Sequence, residues 1–117
     1  MAIIEYGIPL VNGIIIGTSQ GALYTAPTSV LRVVFDNARI INTGASPATV
    51  DLWLALAAED ETASRFKVLD THQIAVDETL IVTSLIGDAI DAGGAVWGQS
   101  SLLNALSFSA TGSKVNS

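Results

Sequence analysis

Residues 23–56 read LYTAPTSVLRVVFDNARIINTGASPATVDLWLAL. Two apolar runs meet at the polar hexapeptide NTGASP, residues 42–47, and their internal spacing decides the fold class. Between residues 30 and 42 the density of β-branched and aromatic side chains favours a pleated, half-buried strand. Leu31, Val33 and Phe35 fall on one face by the two-residue period, but the same parity then reaches Asn37 and Arg39, while Ala38 and Ile40 lie on the other face. An extra residue near Asp36-Asn37, a β-bulge, would restore one continuous core face.

The NTGASP segment is a turn, with Gly44 available for positive φ and Pro47 unable to donate to a ladder. Beyond it, residues 48–58 place Val50, Leu52, Leu54 and Leu56 on one side and Thr49, Asp51, Trp53, Ala55 and Ala57 on the other. Leu and Ala are strong helix formers, so a helix from Asp51 competes. The clean alternation after a hairpin-like turn favours a strand. The same reading gives short strands at 66–69, 72–76, 79–84 and 95–98, the last behind a Gly93-Gly94 turn. A closing strand carries Leu106 and Phe108 on one side. Seven or eight short strands at regular spacing specify an all-β, antiparallel sandwich of jelly-roll-like form.

Residues 1–20 mix Ile and Val with Gly7, Pro9, Gly13 and Gly17, which suits an extended N-terminal arm with at most short strands. The expected organisation is that arm at 1–20, a sandwich domain at 21–112 and a flexible tail at 113–117. A chain of 117 residues makes one domain. The start lacks the positive region of a secretory signal, its first basic residue being Arg32, and no run reaches the roughly 18 apolar residues of a membrane helix. A soluble protein made in the cytosol is expected.

Composition narrows the function. Half the residues are apolar and 14% are charged, against roughly 25% charged in ordinary soluble chains. Apolar side chains beyond the needs of a small core point to cover by other chains. The net charge of −6, with five scattered basic residues, argues against a phosphate-binding surface, so no nucleic-acid partner is expected. With no cysteine, neither a disulfide nor a thiolate metal site can form.

Catalytic patterns are thin. Asp70 stands two residues before His72, the single histidine, and in a strand the two would share a face, as an acid orienting a base does. No Gly-x-Ser-x-Gly elbow supplies a nucleophile, and the expected reading is a surface histidine in a chain that is no enzyme. Acidic residues cluster at 59–61, at Asp77-Glu78, and at Asp88 with Asp91, the pair best placed to offer oxygens to a cation. None matches a calcium loop, so solvated charge is the preferred account and no metal or cofactor is assigned. GGAVWG lacks the Lys-Ser/Thr ending of a phosphate loop. Trp53 falls opposite the Leu-rich face and Trp97 follows the Gly-Gly turn. Both are candidate interface residues, since large aromatics are enriched where chains meet.

The ordered series LYTAP, a long strand ending in NTG, ATVDLWLAL, AIDAGGAVWG and LSFSATG resembles a family of small β-sandwich virion structural proteins of tailed bacteriophages, of head-decoration, neck or tail-associated type. The chain departs from that pattern at Ile90, where a Leu is usual, and at Gly94, where an Asp is usual. The resemblance implies a virion component acting by assembly: homo-oligomeric, in contact with other virion proteins such as the major capsid protein, and not membrane-bound. A capsid-associated or decoration role is the first expectation. A neck, tail or fibre-base protein and a receptor- or carbohydrate-binding module are the alternatives.

Overall fold

The structure, a computed structural model, describes residues 3–56 and 66–116, and of residues 3 and 66 the backbone only. Among the described residues there are nine strands: β1 (Ile3–Ile15), β2 (Gly21–Thr25), β3 (Val30–Asn42), β4 (Ala48–Ala55), β5 (Phe66–Ile74), β6 (Thr79–Ile81), β7 (Ala89–Asp91), β8 (Ala95–Ser100) and β9 (Leu106–Asn116). They form two antiparallel sheets. The first runs β1-β9-β3-β6, with β7 also on β3, and the second β2-β8-β4-β5. The connections β1–β2, β3–β4, β5–β6 and β8–β9 all pass between the sheets at one end, while β2–β3 and β7–β8 return at the other. This is the expected all-β sandwich, with jelly-roll-like topology. No described helix is long and apolar enough to cross a membrane.

The bulge anticipated in β3 is present. Phe35 pairs with Gly112 and Asn37 with Thr111, so Asp36 is the extra residue. A second slip, between Val30 and Arg32, ejects Leu31 from the core face, where period alone had placed it, and Leu31 is 50% exposed. With both shifts, Val30, Val33, Phe35, Ala38, Ile40 and Asn42 all face inward and are buried. They meet Val50, Leu52, Leu54 and Val96 from the second sheet.

The bulge also divides the edge. β6 pairs with Arg39–Ile41 and β7 with Arg32–Val34, leaving the bulged stretch between them. The strand expected at 79–84 therefore stops at Ile81. Residues 82–88 loop past the bulge, held by Val82 N–H to the Ala38 carbonyl (2.9 Å) and Gly87 N–H to the Phe35 carbonyl (2.8 Å). Val82 and Leu85 plug the core from that loop.

NTGASP is a crossover and not a hairpin, because β3 and β4 belong to different sheets. Asn42 makes the corner. It is fully buried, and its Nδ2 donates to the carbonyls of Ser46 and Ile74, both at 3.0 Å, while Oδ1 accepts from Gly44 N–H at 2.9 Å. Its own N–H donates to the Glu78 carbonyl, and its carbonyl accepts from Asp77 N–H, each at 3.0 Å. Gly44 does not adopt positive φ. Its need is space, since a Cβ there would lie 3.1 Å from the Ala105 Cβ.

The strands expected at 66–69 and 72–76 are one strand, β5, kinked where Thr71 takes φ 49° and the pairing with β4 slips. The N-terminal segment expected as an arm is extended, and residues 3–15 of it form the edge strand β1 on β9. Three register shifts, Pro9, and Gly7 and Gly13 at positive φ break its ladder, devices that blunt an edge against further pairing. Ser113–Asn116, expected within the tail, continues β9. Gly112 lets β9 sit between its neighbours, because a Cβ there would lie 2.3 Å from the Val34 carbonyl oxygen.

Asn42→Ala strands the buried Ile74 carbonyl and the part-buried Ser46 carbonyl and Gly44 N–H, and is expected to lower stability by about 2–4 kcal/mol in urea unfolding. Asn42→Asp, isosteric but with a charge facing those carbonyls, is expected to cost more. Gly112→Ala, which must push β3 from β9, is expected to cost about 1–3 kcal/mol or more. Unfolding midpoints equal to that of the parent chain would remove the corner and the close approach from any account of the fold.

Candidate functional site

The inner faces are consumed by the core, so the outer faces are where this molecule can meet others. On β4, inward Val50, Leu52 and Leu54 leave Thr49, Asp51 and Trp53 outward, as the alternation predicts. Trp97 of β8 lies directly opposite Trp53, and Gln99 directly opposite Asp51. The two tryptophans singled out from sequence are thus cross-strand neighbours on one surface, both half-buried.

On the other flank of β4, Lys67 of β5 is the cross-strand partner of Trp53. Its Nζ stands 5.4 Å from the Trp53 ring centroid, a cation–π distance. The same ammonium pairs with Asp70 at 2.9 Å and Asp51 at 3.3 Å. The hydrogen bond to Asp70 is the chief reason the Lys67 ammonium is held above its ordinary range, and Lys67 in turn draws the Asp70 carboxyl below its own. The kink at Thr71 turns its N–H onto Asp51 Oδ1 at 2.7 Å. Gln99 is anchored through Nε2 to the Thr18 carbonyl at 3.0 Å. Neither Lys67 nor Gln99 was singled out from sequence. Gln99 follows Trp97 by the two-residue period, and that is the signal that could have found it.

The outer face of the five-stranded sheet is different. Ile15 and Ile41 both pair with Ser107, and Ile81 pairs with Arg39 beside Ser109. Ile15 and Ile81 are 47% and 45% exposed, and Ile4, in register with Val115, is 45% exposed. Leu103, in the β8–β9 crossover, is 73% exposed and Tyr6 75%.

Among the described residues, the Asp70 and His72 nominated from sequence are not brought together as an acid–base pair. Asp70 is engaged by Lys67 and Thr71, and the bulge between it and His72 breaks the shared face that a regular strand would give them. Among the described residues no three acidic or histidine side chains converge as metal ligands, Asp88 and Asp91 included, and the run at 59–61 lies outside those residues. A cleft of about 380 Å³ opens between Leu54, Lys67 and Val68 on one side and Ser84 and Asp88 on the other.

The ion pair sets a titration test. A depressed Asp70 contributes stability above its unfolded pKa and loses it as pH falls through the folded value. A raised Lys67 contributes below its unfolded pKa and loses it as pH rises through the folded value. The pair therefore acts across the whole neutral range. Lys67→Met is expected to return the Asp70 carboxyl to the ordinary aspartate range in a ¹³C NMR titration; an unchanged Asp70 curve would mean that Lys67 does not hold it.

No protein-family model matches the chain, and no curated protein matches it in sequence. Solved structures do match its fold. The infectious bursal disease virus VP2 subviral particle aligns over 98% of this chain and 32% of its own, with TM-score 0.58 at 10% identity. The infectious bursal disease virus Gx strain aligns over 98% and 32%, with TM-score 0.55 at 12% identity. The T=1 particles derived from the infectious bursal virus align over 97% and 31%, with TM-score 0.55 at 13% identity. The chain spans about a third of the length of these proteins, and the likeness is one of fold.

Proposed function

We propose that this chain is a structural virion protein of a tailed bacteriophage, capsid-associated or decorating, that works by assembly and carries out no reaction. The observation that carries the reading is the set of exposed isoleucines on the outer face of the five-stranded sheet, among Ser107, Ser109 and Arg39, set on a jelly-roll-like frame of the kind seen in the viral particles above. Ile4, Ile15 and Ile81, each a little under half exposed, serve no intramolecular core there, and burying what remains of each against another chain is worth roughly 1 kcal/mol. The β1 edge and the exposed Leu103 extend that surface. Partners of the same character follow: further copies of this chain, and other virion proteins such as the major capsid protein. Repetition over a symmetric particle multiplies each modest contact. The virion is then its location.

Light scattering across micromolar concentrations, with co-sedimentation on shells of major capsid protein, tests this. The parent chain is expected to form a defined oligomer or to saturate the shells. Ile15→Ser and Ile81→Ser are each expected to weaken the association about fivefold, with unfolding midpoints unchanged. A ring of fixed stoichiometry that ignores the shells would favour a neck, tail or fibre-base position. A monomer at every concentration that binds no shell would sink the assembly reading.

A further inference from the structure

The outer faces of the two sheets differ in their largest side chains, exposed isoleucines on the five-stranded sheet and paired tryptophans on the four-stranded one. On the four-stranded sheet, the register puts Ala22, Trp97, Trp53 and Lys67 in one row and Gln99 and Asp51 in the next, with Thr49 and Gln73 beyond. No Leu, Ile or Val occurs among these outward positions, whereas the other sheet offers Ile4, Ile15, Ile41 and Ile81. An aromatic pair bordered by carboxylate, amide and hydroxyl groups is the complement of a sugar ring, which offers an apolar C–H face and a rim of hydroxyls. We propose that the square formed by Trp53, Trp97, Asp51 and Gln99 binds a neutral hexopyranose unit of a glycan.

The dimensions follow from the sheet. Side chains directly opposite stand about 5 Å apart, and those two residues along a strand about 7 Å. The four Cβ positions thus span an area comparable to one pyranose ring. The electron-rich indole faces attract the weakly positive C–H face of the sugar. The polar pair is already fixed. Thr71 N–H and the Lys67 ammonium both engage Asp51 Oδ1, leaving Oδ2 to accept from a hydroxyl. Gln99 spends its Nε2 on the Thr18 carbonyl, leaving Oε1 as a second acceptor. Two acceptors on adjacent strands match vicinal hydroxyl donors, and the Asp51 and Asp70 carboxylates disfavour an acidic sugar. Lys67, drawn toward those carboxylates, compensates their charge and lies over one face of the Trp53 ring. A shallow sheet surface encloses little of a ligand, so a single sugar is expected to bind on the order of millimolar, and an oligosaccharide more tightly.

The test titrates the purified full chain with neutral methyl hexopyranosides and their linear oligosaccharides, read by indole ¹H–¹⁵N shifts and tryptophan fluorescence. Saturable shifts of both indoles are expected with at least one hexopyranoside. Asp51→Asn and Gln99→Ala are each expected to weaken that binding about tenfold, while Arg39→Ala on the opposite sheet leaves it unchanged. Tighter binding of the oligosaccharide would identify a polymeric glycan as the source, and equal binding a free sugar. If Trp97→Ala fails to fold, the Asp51 and Gln99 variants, which leave the aromatic pair in place, decide the matter. No saturable shift across the panel would overturn the proposal. So would a loss of oligomer mass in Trp53→Ala with sugar binding intact, since the face would then be a contact between copies.

Discussion

The fold turns on the side-chain amide of Asn42. A jelly-roll-like sandwich must carry its chain from one sheet to the other several times, and each passage takes backbone polar groups through a region without a ladder to satisfy them. Asn42 solves this at the crossover end with one residue. Both amide hydrogens, the amide oxygen, the backbone N–H and the backbone carbonyl are each engaged, on residues 44, 46, 74, 77 and 78. Two crossovers, β3–β4 and β5–β6, are thereby tied to one buried point. The next residue adds a third, because Thr43 N–H donates to the Ala105 carbonyl at the start of β9. A low-dielectric setting makes such a network valuable when complete and costly when one partner is missing.

The bulge at Asp36 is the second organising constraint, and it acts through parity. Without it, Phe35 and Ile40 would point to opposite sides of the sheet. With it, both are fully buried in one core. The same extra residue interrupts the edge ladder, so the chain leaves β3 after Ile81 and returns at Ala89. Val82 and Leu85, on the detour, fill the core side of the gap.

This explains which parts of the fold were legible in the sequence. The β3 bulge showed as a break in period, and the outward aim of Trp53 as the odd member of a clean alternation. Both are local facts about a single strand. β1 was hard to read as a strand because Gly7, Pro9 and Gly13 disturb its period, and what admits it to the sheet is remote: a glycine at 112 leaves room for Leu10 on one side and the Val34 carbonyl on the other. NTGASP has the composition of a hairpin turn. It is a crossover because the Asn42 amide reaches the Ile74 carbonyl, 32 residues on. Of the site, the two tryptophans were readable one at a time, but their adjacency depends on the β4–β8 register, which no local pattern encodes.

The unusual composition now has a location. A chain that is half apolar and 14% charged places its largest aliphatic groups in the core and puts much of the surplus on one outer face, the β1 edge and a crossover loop, including Ile4, Ile14, Ile15, Ile81, Leu102 and Leu103, with Leu56, Val76 and Ile86 exposed elsewhere. The other outer face keeps its aromatics but surrounds them with hydrogen-bonding groups. In a two-layer fold the inner faces must both be apolar, so nothing in folding forces the outer faces to differ. Their difference is a property of this sequence and not of the frame, and it places two kinds of contact on opposite sides of a sandwich two sheets thick. The proposed assembly would use the first of these sheets and leave the second open to solvent.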